Sequence, residues 1–177
     1  SAVFDYLSTS ETNIAPGKLK QWTPPVENRD YPDPVFLVGF ARSGTTLLDQ
    51  VLSSHPDIFV SAERESLTPV FRMIKSQKMS PAERMASLTP AEIESLRHAF
   101  FDVHKSYGDW KDRKVFIDKN PFNMHNLNLV YRLFPKAKII MALRHPCDCV
   151  LSSYMYEFTP NNATVQCLEL ESCARLY

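Results

Sequence analysis

The chain has 177 residues, and its 20 Lys and Arg residues balance its 20 Asp and Glu residues to a formal net charge of zero. Hydrophobic residues make up 44% and charged residues 23%, an ordinary globular composition that excludes a disordered, collagen-like or coiled-coil protein. The lack of net positive charge argues against broad binding to nucleic acid or to an anionic membrane, while a local basic pocket stays compatible with it.

Proline is concentrated at the start of the chain. Five of the 13 prolines fall in the first 34 residues. Because proline favours extended backbone, we predict an arm or linker over residues 1–33 and a single domain over residues 34–177. No secretory signal begins the chain and its apolar runs are too short to cross a bilayer, so the default expectation is a cytoplasmic protein.

The first predicted elements of the domain are a strand and a helix. Val35 to Val38 form a short apolar run between Pro34 and Gly39, which is typical of a buried strand in a parallel sheet. Apolar residues then recur at helical spacing and predict a helix from about Thr45 to Ser54.

The same alternation continues along the chain. Further strands are predicted at 58–60, 115–117 and 138–143, and a helix over 124–134 and another over 146–156. Ser80 and Thr89 each precede Pro and stand three residues before Glu, which is the capping-box pattern of a helix start; Thr68 before Pro69 is taken as a third N-cap. Alternating strands and helices predict an α/β domain with a mainly parallel sheet flanked by helices.

The strongest motif is the segment from Gly39 to Thr46, Gly-Phe-Ala-Arg-Ser-Gly-Thr-Thr, between the first strand and the first helix. Two glycines let the backbone curl so that its N–H groups converge on an anion, and the helix adds its positive N-terminal end. The spacing is that of a Walker A loop, but Thr45 occupies the lysine position, so the usual support for a β,γ-phosphate is missing.

A second candidate phosphate site follows the fourth predicted strand. Arg144 stands where that strand ends, Pro146 begins the next helix, and Ser152 lies about two turns along it. An arginine and a hydroxyl close together suit a phosphate group.

Two further charged residues complete the pattern, because Glu63 follows the second strand and Lys119 the third. All four candidates therefore lie at the carboxyl ends of strands, which is the edge where open α/β sheets bind ligands.

Other polar residues are weaker candidates for a functional role. His98 and His104 fall in a predicted helix and are expected to be partly exposed, and Asp118 is either an ion-pair partner or a support for Lys119. The four cysteines all lie in the last 31 residues at a spacing that matches no common zinc site, so we expect reduced thiols and no metal.

With these motifs together, the chain resembles the sulfotransferases that use 3′-phosphoadenosine 5′-phosphosulfate (PAPS), whose fold is a P-loop-like three-layer α/β domain. The resemblance covers about residues 33–177 and is nearest to the branch of protein-tyrosine sulfotransferases and of bacterial proteins that join tetratricopeptide repeats to a sulfotransferase domain. It rests on the two phosphate-like motifs and on His55-Pro56, Lys119-Asn-Pro121 and Phe134-Pro135.

The resemblance implies a role for each matching residue. The 5′-phosphosulfate would be held by Arg42, Ser43, Gly44, Thr45 and Thr46. The 3′-phosphate would be held by Arg144 and Ser152. Glu63 matches the general base that takes a proton from the acceptor hydroxyl, Lys119 matches a lysine near the sulfuryl group, and no metal is implied.

Some alternatives stay open at this level. Glu65, two residues beyond Glu63, is a second candidate for the base. The chain ends shortly after the 3′-phosphate motif, so we expect a truncated domain with its C-terminal part missing. A P-loop nucleotide kinase or NTPase, and a non-catalytic module that binds 3′-phosphoadenosine 5′-phosphate (PAP), are the competing functions. The acceptor is a hydroxyl on a protein tyrosine, a carbohydrate or a small molecule.

Overall fold

The computed structural model describes residues 22, 31–75, 78–105, 107, 110–158 and 164–177. The predicted N-terminal arm, residues 1–33, lies almost entirely outside the described residues. Within them, the elements alternate as the sequence predicts. The strands are β1 Val35–Gly39, β2 Ile58–Ala62, β3 Val115–Lys119 and β4 Lys138–Ala142. The α-helices are α1 Thr45–Ser53, α2 Leu67–Ile74, α3 Pro81–Ser87, α4 Pro90–Asp102, α5 Leu127–Leu133, α6 Pro146–Tyr154 and α7 Leu170–Leu176.

The four strands form one parallel sheet in the order β2-β3-β1-β4. Val38 lies opposite Met141, and Leu37 lies opposite both Lys119 and Ile140. All strands point the same way, so the segments that follow them emerge at one edge of the sheet.

Helices cover both faces of this sheet. On one face, Phe36 and Phe116 belong to a core that also contains Val70 of α2, Phe100 of α4 and Leu133 of α5. On the opposite face the ammonium group of Lys119 reaches Asp49, which places α1 there. The predicted three-layer α/β architecture of P-loop type is therefore confirmed.

A second, smaller core supports the loop that follows β1. It joins Phe40 and Ala41 of that loop to Val150 of α6, to Cys167 in the 3₁₀ segment Thr164–Leu168, and to Cys173 of α7. The C-terminal helices therefore pack directly behind the loop that the sequence predicts to hold an anion.

The capping predictions are partly correct. Ser80 and Thr89 both form complete capping boxes with the glutamates three residues later. The prediction for α2 is wrong by two residues, since Ser66 occupies the N-cap and the hydroxyl of Thr68 donates to Glu65 instead. Pro69 is tolerated inside this helix because the first N–H groups of a helix have no intrahelical partner.

The helix predicted over 124–134 is shorter than expected. A 3₁₀ segment, Pro121–Asn126, comes first, and α5 begins only at Leu127. No helix in the described part of the chain has the length and apolar character needed to span a membrane.

Candidate functional site

The loop between β1 and α1 depends on both of its glycines. A Cβ atom on Gly39 would stand 2.8 Å from the carbonyl oxygen of Ala142 in β4 and 2.8 Å from the hydroxyl of Ser43. Gly44 has φ +96°, a left-handed conformation that residues with a side chain rarely adopt. The first glycine therefore allows β1 and β4 to approach, and the second allows the turn into α1.

The loop offers hydrogen-bond donors that have no acceptor within the part of the chain that the structure describes. The hydroxyl of Ser43 is buried without a partner among the described residues. Gly44, as N-cap, provides no side-chain acceptor to the first amides of α1, and that first turn contains no acidic residue. Thr45 is buried and Thr46 exposed at the same helix end. Such an arrangement fits an anion, whose oxygens would accept from the hydroxyl and the amides.

The two phosphate-like motifs are in direct contact. The Nε atom of Arg42 donates to the hydroxyl of Ser152 over 3.2 Å. The Nη1 atom of Arg144 donates to the backbone oxygen of Arg42 over 3.1 Å. The guanidinium of Arg144 also has an ion pair with Asp148, at 3.6 Å. One basic corner is thus formed by Arg42, Arg144 and Ser152. In sequence, Arg42 is 102 residues from Arg144 and 110 residues from Ser152.

Two tyrosines complete this corner and were not expected from the sequence. The guanidinium of Arg42 lies 4.4 Å from the ring centre of Tyr156, a cation–π contact. The hydroxyl of Tyr177 donates to the backbone oxygen of Arg144 over 3.0 Å, while its ring packs edge-on against Phe40. Tyr156 lies two residues beyond the end of α6, so helical spacing does not mark it in the sequence.

Glu63 and Lys119 meet at the ends of β2 and β3. The ammonium nitrogen of Lys119 lies 2.7 Å from Glu63 Oε1 and 3.7 Å from Asp49 Oδ2. The Lys119 side chain is 3% exposed, whereas that of Glu63 is 60% exposed. Lys119 is thus a buried cation between two carboxylates, and Glu63 is the one that solvent reaches. Asp49 was missed, although it stands four residues after Thr45 on the same face of α1.

The backbone at Glu63 is unusual. Its φ of 41° lies in the left-handed region, and its N–H donates to the backbone oxygen of Lys119 over 2.7 Å. Glu65, the second candidate for the base, bonds to Thr68 at the start of α2. Of the two glutamates, the one with a contact to Lys119 is Glu63.

A buried polar cluster lies beside this pair. The Asp118 carboxylate, 1% exposed, accepts from the hydroxyl of Ser66 and, over 2.8 Å, from the side-chain amide of Asn123. His104 Nε2 lies 4.0 Å from the same carboxylate, and His104 Nδ1 lies 3.0 Å from the hydroxyl of Ser61. Burial raises the pKa of Asp118 to about 6 and lowers the pKa of His104 to about 4.

The prediction that His104 is a partly exposed helix residue is wrong. His104 follows the end of α4 and is fully buried against Phe100 and Phe116. His98, for which the same prediction was made, is 46% exposed and stays on the surface of α4. The two histidines differ in burial because the chain turns inwards after Asp102, and helical periodicity does not predict this turn.

The four cysteines are free thiols, with Cys147 exposed and the other three buried. The sulfur atoms of Cys167 and Cys173 lie 3.4 Å apart, and burial raises the pKa of Cys167 to about 12. Within the described ranges, no three His, Cys, Asp or Glu side chains are grouped so that they could hold a metal ion.

The sequence model described as "Sulfotransferase family" matches residues 34–177, so the chain belongs to the sulfotransferase family. It is 30% identical over 127 residues to "Protein-tyrosine sulfotransferase 1" of Danio rerio, covering 69% of this chain and 35% of that protein.

Two other similar proteins extend the comparison. An uncharacterized protein of Aquifex aeolicus is 25% identical over 158 residues, which are 83% of this chain and 21% of that protein. A crystal structure of a sulfotransferase from Alicyclobacillus acidocaldarius aligns with a TM-score of 0.47 and 24% identity, over 83% of this chain and 60% of the other. The chain therefore spans about a third or less of the length of the relatives from Aquifex aeolicus and Danio rerio.

Proposed function

We propose that this domain transfers a sulfuryl group from PAPS to a hydroxyl acceptor. The observation that carries the proposal is the 2.7 Å contact between Glu63 and the buried Lys119. It lies at the same sheet edge as the loop whose Ser43 hydroxyl has no partner among the described residues. A carboxylate that solvent reaches, next to a buried cation and an anion site, suits proton removal coupled to the departure of an anion.

The donor would occupy the two contacting motifs. The 5′-phosphosulfate end fits the loop donors, namely Arg42, Ser43, Gly44, Thr45 and Thr46. The 3′-phosphate fits the basic corner at Arg144 and Ser152. The hydroxyl of Ser152 accepts from Arg42 and can still donate its own hydrogen, so it is able to serve both groups.

In the proposed step PAPS supplies an activated sulfuryl group. The Glu63 carboxylate accepts the proton of the acceptor hydroxyl as its oxygen forms a bond to sulfur, and the bond from sulfur to the phosphate oxygen breaks. Protonation of Glu63 removes the negative partner of Lys119. The Lys119 ammonium then has more charge available for the departing phosphate oxygen, and PAP leaves.

For the acceptor we propose a tyrosine hydroxyl of a protein. Support for this choice is the name of the relative from Danio rerio, and of another from Homo sapiens that is 29% identical over 115 residues, or 62% of this chain and 30% of that protein. A carbohydrate and a small molecule are the alternative acceptors, and an acceptor screen with radiolabelled PAPS separates the three.

Titration calorimetry with PAP tests the donor site. Arg144→Ala should weaken PAP binding at least about tenfold, because a charge-assisted hydrogen bond is worth about 1.5–3 kcal/mol. Arg175→Ala is the matched control, since Arg175 forms an ion pair with Glu171 on the exposed surface of α7. PAP binding that Mg-ATP displaces would instead favour a P-loop kinase or NTPase.

Substitution of the base tests the catalytic role. In the full-length protein, Glu63→Gln should reduce sulfuryl transfer by about 100-fold or more while the Kd for PAP changes little. Glu65→Gln, two residues away and bonded to Thr68, should keep wild-type turnover. Wild-type turnover in Glu63→Gln would remove Glu63 from the role and would leave a binding module as the better reading.

A further inference from the structure

We propose that the buried pair of Asp118 and His104 positions Glu63 by fixing the backbone of residues 61–66 at both ends. The inference rests on the proposed function, in which Glu63 is the base, and adds positioning residues to it. Neither Asp118 nor His104 touches the reacting groups in this proposal, and both act through hydrogen bonds to the segment that carries Glu63.

The two ends of the segment are anchored by the same pair. The hydroxyl of Ser61, at the start, lies 3.0 Å from His104 Nδ1. The hydroxyl of Ser66, at the end, donates to the Asp118 carboxylate. Ser61 and Asp118 are also direct neighbours in the β2–β3 register. The six residues from Ser61 to Ser66 therefore start and finish on two side chains, His104 and Asp118, that are 4.0 Å apart.

The middle of the segment needs such anchoring. Glu63 has a left-handed backbone, which is unfavourable for a residue with a side chain and persists only where the surroundings enforce it. Its N–H bond to the Lys119 oxygen supplies one constraint inside the segment. With both ends fixed as well, the Glu63 carboxylate stays within 2.7 Å of Lys119 although the side chain is 60% exposed.

The pair also connects the segment to the other half of the site. Asp118 immediately precedes Lys119, and its second carboxylate oxygen accepts from Asn123 in the turn after β3. Because successive side chains of a strand point to opposite faces, Asp118 faces the aromatic core while Lys119 faces α1. The buried Asp118 carboxylate thus connects the segment after β2 with the segment after β3, on the face of the sheet that carries the aromatic core.

The apolar surroundings of Asp118 and His104 indicate that the pair serves to position the segment 61–66 rather than to stabilise the fold. His104 packs 5.0 Å from the ring centre of Phe116 and 5.6 Å from that of Phe100, among apolar side chains where polar groups cost free energy unless fully bonded. His104 Nε2 has no hydrogen-bond partner among the described residues. An apolar cluster of similar volume would stabilise the fold at least as well but would hold neither serine.

Removal of one anchor tests the proposal. In Ser66→Ala, amide hydrogen exchange across residues 62–66 should become about tenfold faster, and kcat of the full-length protein should fall about tenfold. The Kd for PAP should not change, because the loop and the basic corner are untouched. A purely structural role would leave the ratio of kcat to binding unaltered even where the exchange of this segment becomes faster.

Two controls separate positioning from general destabilisation. Ser95→Ala removes a hydroxyl from the exposed side of α4, where it donates to the Ala91 oxygen, and Leu129→Ala weakens the core of α5. Neither should accelerate exchange within 62–66. His104→Gln provides a second anchor variant should Ser66→Ala fold poorly.

The outcomes separate the two proposals. Unchanged exchange across 62–66 in both anchor variants, or faster exchange with wild-type kcat, would overturn the positioning role. Wild-type turnover in Glu63→Gln would instead overturn the proposed base, while the exchange measurement would still decide whether the pair fixes the segment.

Discussion

The buried pair of Asp118 and His104 should give opposite pH dependences of the free energy of unfolding when one member or the other is replaced. Asp118 has its pKa raised from an ordinary 3.8 to about 6, and His104 has its pKa lowered from an ordinary 6.5 to about 4. Between pH 4 and 6 the folded pair therefore carries one proton, on Asp118. The unfolded chain also carries one, on His104. Since stability depends on pH only through a difference in bound protons, the pair contributes almost no pH dependence in the wild type.

Asp118→Asn should reveal the pH dependence of stability that arises from His104 alone. With the carboxyl gone, the unfolded chain binds one proton more than the folded chain between pH 4 and 6.5, so the stability of the variant rises with pH. Each pH unit is worth about 1.4 kcal/mol, and the lowered pKa of His104 makes the whole gain about 3 kcal/mol. The gain is present above pH 6.5 and is lost as pH falls through 4.

His104→Gln should give the opposite slope. The raised pKa of Asp118 then means that the folded chain binds the extra proton between pH 3.8 and 6, so stability falls by about 3 kcal/mol as pH rises through that range. Urea unfolding at intervals from pH 4 to 7 measures both effects, as differences from the wild type at each pH so that other carboxylates cancel. Two variants with the same pH dependence as the wild type would refute the reasoning.

Three further predictions concern the loop, a helix cap and a thiol. Gly44→Ala should cost about 1–2 kcal/mol in the free energy of unfolding by urea, because an alanine must enter the left-handed region at φ +96°, and a loss below about 0.3 kcal/mol would contradict this. Thr89→Ala should cost about 1 kcal/mol through loss of its bond to the Glu92 amide, against less than about 0.5 kcal/mol for the control Ser95→Ala. Titration of the native chain with a disulfide reagent should modify Cys147 quickly, and rapid modification of a second thiol would show that the C-terminal packing is looser than described.

The fold was predictable where the signal is local. The apolar run at Val35 and the helical spacing after Thr45 identify β1 and α1 within a residue or two, because burial on one face repeats with the period of the element. The capping boxes at Ser80 and Thr89 are equally local. The strand order could not be predicted in this way, since β3 lies between β1 and β2 through pairs such as Val35 with Ile117 and Ile58 with Val115, which are far apart in sequence.

The site divides in the same way. The glycine loop and the strand-end positions of Glu63, Lys119 and Arg144 follow from motif and topology, and the structure brings them together as two contacting groups. Their chemical roles remain predictions. The support around them was hidden, because Ser61 meets His104 and Ser66 meets Asp118 only in three dimensions, and a single serine or histidine has no periodic pattern to mark it as buried.

The bond from the Arg144 side chain to the backbone oxygen of Arg42 has a thermodynamic consequence. Any ligand group that draws Arg144 or Ser152 towards itself also shifts the loop at Arg42, and an anion in that loop shifts Arg144 and Ser152 in return. Linkage requires the two influences to be equal in free energy, so an inorganic anion bound at one motif must alter the affinity of the other motif by the same factor in both directions. An inorganic anion in the loop would then change the Kd of a fragment that carries the 3′-phosphate, and this fragment would change the Kd of the anion by the same factor.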